Sequence, residues 1–241
     1  MTRNSTSGDE ALLSSIANSK SVSRRKFLGY SGAAALAMAA VVSSCHKDDN
    51  NNNTDTGIDL GSGDIGILNY AYALEQLEAA FYIRVMTSPY TGGSVAEMAL
   101  LADIRDHEIA HREFFKNAIP AASRLQDLTP DFSSINFTDR ASVLGAAKAF
   151  EDTGVSAYNG AGKLISQTTA GMTYLGLAGK IVSVEARHAA AIREMIAPGT
   201  FADSTAVNAQ GLDLVATPPQ VVVIANTFLT TKISARNLPT S

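Results

Sequence analysis

Two Glu-x-x-His pairs constrain this 241-residue chain more than any other feature: Glu108 with His111 in "DHEIAH", and Glu185 with His188 in "VEARHA", 77 residues further on. The chain has four histidines and nine glutamates, so chance seldom sets two of the four three residues after a glutamate. Residues three apart share one face of a helix. Each pair therefore aims a carboxylate and an imidazole in one direction, provided the segments that carry them are helical.

Four long segments read as helices. Residues 63–86 carry Ile67, Tyr70, Ala71, Leu74, Leu77, Phe81 and Val85 at the three-and-four spacing of a core-facing stripe, with Ser62 or Asp64 as a cap. Residues 94–118 repeat the pattern through Val95, Met98, Leu101, Ile104, Ile109 and Phe115 and stop before Pro120. A polar connection with Pro120 and Pro130 follows, long enough to cross the end of a bundle. A third helix, capped by Thr138 or Asp139, is expected to run to about Gln167, and a fourth from about Gly171 to Ala197, ending at Pro198-Gly199. Both are rich in Ala and Gly, which lowers helix propensity and lets backbones approach closely. Near the carboxyl end "VVVIA", Val221 to Ala225, fits either a strand or a short helix opened by proline. Four helices with a long second connection make an all-α four-helix bundle with a short C-terminal extension.

The bundle contains an internal repeat. Glu75 precedes Tyr82 by seven residues, Glu151 precedes Tyr158 by seven, and the two copies lie 76 apart, close to the 77 that separates the Glu-x-x-His pairs. Helices one and two are thus echoed by helices three and four. Glu78 misses both relations, so Glu75 is the functional glutamate of helix one and Glu78 a neighbouring charge. Glu78, Glu113, Glu194 and Asp152 read as solvated or paired charges. Tyr82 and Tyr158 read as core aromatics, and His107, some 100° around the helix from Glu108, as a surface or supporting residue.

The candidate metal ligands are then Glu75, Glu108, His111, Glu151, Glu185 and His188, four carboxylates and two imidazoles facing one interior. Buried without partners, such charges cost several kcal/mol each. Two divalent cations carry the charge that balances four glutamates and remove that penalty. A Glu from each of two helices plus Glu-x-x-His from each of the other two is the ligand pattern of the ferritin-like carboxylate proteins, which the chain resembles from about Ile58 to Asn237. With "LEAAFY" in its first helix it resembles the exported bacterial ferritin-like domain proteins, some called desiccation-related. The resemblance implies two iron or manganese ions that oxidise ferrous iron or remove peroxide and oxygen species. The alternative within the same fold is a non-catalytic structural or stress protein of the cell envelope. In one respect the chain departs from the pattern. Some ferritin-like proteins carry an Asp before each Glu-x-x-His glutamate to support the opposite histidine, and here those positions are His107 and Val184.

The amino end reads as an export signal. "SRRKFLG", Ser23 to Gly29, sets paired arginines before an apolar run, Tyr30 to Val42, too short to span a bilayer as a permanent helix, and resembles the twin-arginine type. "VSSC" resembles a lipoprotein cleavage box, which would make Cys45 the lipidated first residue of the mature chain; an uncleaved anchor with an incidental cysteine is the alternative. The expected domains are a signal over 1–45, a tether over 46–60 and the bundle over 61–237. The tether, "HKDDNNNNTDTG", is too polar and simple to order itself, and "CHKDD" resembles a surface-export tag. The expected location is the cell envelope, lipid-anchored through Cys45 in the periplasm or on the outer membrane. Cys45 is the only cysteine, so a metal must be held by His, Asp and Glu. Taking away the five basic and two acidic residues ahead of Cys45 leaves 14 basic against 21 acidic, a balance that excludes a nucleic-acid partner. An oligomer is compatible with this reading, whereas a lipid-tethered bundle is awkward to close into a storage cage.

Overall fold

A computed structural model describes residues 57–240; the expected export signal, Cys45 and residues 46–56 of the expected tether lie outside the described residues. The bundle helices are α1 (Gly63–Thr87), α2 (Val95–Ala118), α3 (Arg140–Ala161) and α4 (Thr169–Ile196). Helix α1 packs along α2, and α3 along α4, so the repeated halves are two helical hairpins facing each other. Start signals are local: the Ser94 hydroxyl accepts from the Glu97 amide, the Asp139 carboxylate from the Ala141 and Ser142 amides, and the Thr168 hydroxyl from the Gly171 amide. Among the described residues no helix is long and apolar enough to cross a membrane.

Helix α1 is the central element. Beyond the stripe expected from the sequence, Leu68, Asn69, Tyr72, Ala73 and Gln76 are buried as well. The connection after α2 explains this, because it runs along the flank of α1 instead of only crossing the bundle end. Asn69 donates to the carbonyls of Leu60 and Ser123 at 3.1 and 2.8 Å and accepts from the Leu125 amide at 2.8 Å. One helical stretch further, the Gln76 side chain accepts from the Leu128 amide at 2.7 Å. These side-chain amides satisfy the backbone groups of a loop that has no ladder of its own. Phe132 and Phe137 then pack on Phe81, carrying the strap over to the start of α3.

Helix α3 ends at Ala161, earlier than the sequence suggests, and passes through a 3₁₀ turn at Gly162–Leu164. At Gly160 a Cβ would fall 1.8 Å from the Ala216 carbonyl oxygen, so the segment before the last helix lies directly on the end of α3. "VVVIA" resolves as helix α5 (Pro218–Asn226), opened by a capping box between Thr217 and Gln220. Two short parallel strands, β1 (Ile58–Asp59) and β2 (Ile233–Ser234), tie the two ends of the domain together. Residues 58–60, which the sequence assigns to a tether, are therefore ordered, and Leu60 is fully buried. Between α4 and α5 the loop is held by Arg193, whose guanidinium makes two 2.7 Å bonds to Asp152 on α3 and a 2.8 Å bond to the Thr205 hydroxyl. Asp152 is thus a paired charge, as the sequence suggests.

Candidate metal centre

The interior of the bundle gathers the six candidate ligands. Glu75 comes from α1, Glu108 and His111 from α2, Glu151 from α3, and Glu185 and His188 from α4; the four glutamates are 0% exposed. Ligand atoms of Glu75, Glu108, His111 and Glu185 lie within 4.8 Å of one another, and so do those of Glu108, Glu151, Glu185 and His188. Glu108 and Glu185 belong to both groups. The two tetrads share an edge, as two adjacent metal positions with a pair of common carboxylates would.

The oxygen-by-oxygen arrangement is more specific than the clustering. Glu108 turns Oε2 toward His111 Nδ1 at 3.5 Å and Oε1 toward His188 Nδ1 at 2.7 Å. Glu185 turns Oε1 toward His111 Nδ1 at 2.8 Å and Oε2 toward His188 Nδ1 at 4.0 Å. Each of these two glutamates therefore divides its oxygens between the tetrads. The outer glutamates behave differently. Tyr82 on α1 donates to Glu151 Oε1 on α3 at 2.5 Å, and Tyr158 on α3 donates to Glu75 Oε1 on α1, a reciprocal pair of bonds across the bundle. One oxygen of each outer glutamate is fixed by a tyrosine, and Oε2 is left turned toward the centre.

What remains unsatisfied is informative. Glu75 Oε2, Glu151 Oε2, both oxygens of Glu108 and of Glu185, and Nδ1 of His111 and of His188 are buried without a hydrogen-bond partner. His111 Nδ1 and Glu185 Oε1 stand at contact distance, yet they are not aligned for an N–H···O bond. Buried polar atoms are nearly always paired, and eight in one spot that converge without pairing fit a cation better than a hydrogen-bond network. Hard carboxylate oxygens with imidazole nitrogens suit iron, manganese or zinc.

Electrostatics of the side chains point the same way. Burial pushes the carboxyls of Glu75, Glu151 and Glu185 up, with Glu151 reaching about 8. Burial pushes Glu108 up too, but the two imidazoles set against its oxygens outweigh it and hold that carboxyl at about 2. Burial opposes charge on the histidines, yet the surrounding glutamates raise His111 to about 12 and His188 to about 10. The group balances its charge with protons, and divalent cations that bind it must displace them.

Residues outside the six also resolve. His107 is exposed, and its Nδ1 stands 2.9 Å from His188 Nε2, so it supports that histidine where the sequence lacks an aspartate. Glu113 pairs with Arg112 at 2.8 Å on the surface, and Glu194 accepts from the Gly199 amide beyond the end of α4. Glu78 is not a solvated charge. It is 3% exposed, its Oε2 has no partner, and burial followed by repulsion from Glu185, Glu108, Glu75 and Glu151 pushes its carboxyl well up. The helical 60° that separates Glu75 from Glu78 leaves both inside because α1 is covered on all sides over residues 66–79.

A search of curated proteins finds no match to the chain. A family described as the ferritin-like domain matches residues 63–198. Because that match runs from the first residue of α1 to just past α4, it takes in all four bundle helices and more than half of the sequence, and the chain belongs to the ferritin-like domain family.

Proposed function

We propose that the bundle holds two iron or manganese ions through Glu75, Glu108, His111, Glu151, Glu185 and His188, and that the pair reacts with oxygen or peroxide, oxidising ferrous iron or removing peroxide. The observation that carries this reading is the division of labour among the glutamates. Two of them split their oxygens between both tetrads, and two are held by tyrosines with one oxygen inward. Bound there, iron or manganese would supply one-electron redox chemistry and Lewis acidity.

The protein's own contribution is positional. Tyr82 and Tyr158 fix the rotation of the outer carboxylates, and His107 fixes the ring of His188. The four bundle helices bury all four glutamates completely, which keeps bulk water from the carboxylates. His111, with 12% of its side chain exposed, is the most accessible of the six and marks the side on which a small reactant meets the site. The test is consumption of dissolved oxygen on addition of ferrous iron, alongside peroxide breakdown by manganese-loaded protein. Wild type should exceed a Glu185→Ala control in one of the two assays; equal rates in both would overturn the reaction while leaving metal binding intact.

The twin-arginine motif supports export of a bundle that already carries its metals, since that route moves folded proteins, and "VSSC" supports lipid attachment in the cell envelope. Mass spectrometry of the mature amino terminus should find acylated Cys45. A mature chain that starts elsewhere without lipid would contradict the anchor.

A further inference from the structure

The proposed six-ligand centre leaves one buried carboxylate without a role. Glu78 lies one turn along α1 from Glu75, almost wholly buried, with Oε2 lacking any hydrogen-bond partner. The internal repeat places Gly154 at the matching position of α3, three residues after Glu151 as Glu78 is three after Glu75. The two equivalent positions meet in space. A Cβ at residue 154 would fall 2.9 Å from Glu78 Oε1 and 3.5 Å from Glu185 Oε2. Glycine on α3 is thus what makes room for the glutamate on α1, and that room borders one of the two shared carboxylates.

Glu78 has a second neighbour. A small cleft lined by Leu74, Leu77, Phe150, Thr153, Ala225 and Phe228, between α1, α3 and α5, has Glu78 as its only charged wall. Its usable space of about 10 Å³ is that of roughly one water molecule. Glu78 thus borders both this cleft and, across Gly154, the shared carboxylate Glu185.

We propose that Glu78 is a seventh ligand and fifth carboxylate of the dinuclear centre, reaching a divalent cation beside Glu185 through the space that Gly154 leaves. This rests on the dinuclear reading above and makes the site asymmetric: α1 supplies two carboxylates and α3 one. Four glutamates balance two divalent cations, so a fifth gives the centre capacity for one more positive charge than the symmetric set holds.

Cobalt(II) titration of the full chain tests it, with the ligand-field absorption of the bound ion reporting its coordination. Wild type, Glu78→Gln and Gly154→Ala should all reach two ions at saturation. Glu78→Gln should weaken the looser ion by about tenfold or more, the scale seen when groups that support a metal site are removed. Its cobalt spectrum should also change, as a lost oxygen ligand requires. Gly154→Ala keeps every carboxylate but crowds Glu78, and should shift affinity and spectrum in the same direction. The metal-free melting temperature of Glu78→Gln should be no lower than that of wild type, because a buried partnerless carboxyl has been removed, which separates ligation from folding. Wild-type affinities and an unchanged spectrum in Glu78→Gln would overturn the proposal. Failure of wild type itself to bind cobalt would instead sink the dinuclear reading beneath it.

Discussion

Glu185→Ala is expected to empty both metal positions, whereas Glu75→Ala is expected to lose one and keep the other. The difference follows from where the oxygens point. Glu185 sends Oε1 to the His111 side and Oε2 to the His188 side, so its removal takes a ligand from each position and exposes each to the repulsion of the remaining carboxylates. Glu75 lies in the tetrad with His111 alone, and its other oxygen is already engaged by Tyr158. Glu151→Ala should mirror Glu75→Ala at the opposite position, because Tyr82 holds it in the same way. Metal per chain, measured after reconstitution and gel filtration, distinguishes these cases. Loss of two ions in Glu75→Ala and of one in Glu185→Ala would mean that the shared and outer roles are reversed.

Chelation is expected to lower the melting temperature by about 20 °C. An ion bound only by the folded state at a thousandfold excess over its dissociation constant stabilises by about 4 kcal/mol, so two contribute about 8 kcal/mol. For a domain of this size each kcal/mol moves the melting temperature by about 2–4 °C. The effect has a structural cause beyond mass action: with the ions removed, the carboxylates must take up protons or repel each other in a buried site. Calorimetry with and without a chelator, at fixed pH, reads the shift directly. A change of under about 3 °C would mean that cations contribute little to holding this interior together.

Much of this site was legible because its chemistry obeys helical arithmetic. Glu-x-x-His fixes two side chains on one face whatever else surrounds them, and the repeat of 76 to 77 residues pairs each lone glutamate with its counterpart. The Glu–Tyr spacing of seven was visible as well. Its meaning was not, since Tyr82 bonds Glu151 and Tyr158 bonds Glu75, and a bond between hairpins leaves no local trace. Glu78 was misread for a related reason. A helix with one exposed face shows it as a polar stripe, but α1 is covered from two directions: the 119–139 strap bonds Asn69 and Gln76, and Glu78 lies against Gly154 of α3, so polar residues that look like surface ones in sequence are core residues in the fold. The glycine at 160 has a tertiary reason as well, since the segment around Ala216, more than fifty residues away in sequence, lies where its Cβ would be.

The central claim is that eight buried atoms without hydrogen-bond partners converge because they coordinate cations. Native mass spectrometry of the mature domain, reconstituted with manganese or, under exclusion of oxygen, with ferrous iron and then desalted, tests it most directly. The account predicts a folded chain heavier than the apoprotein by two metal ions, with both missing from Glu185→Ala handled identically. A wild-type spectrum with no metal adduct, or one that Glu185→Ala reproduces, would contradict it.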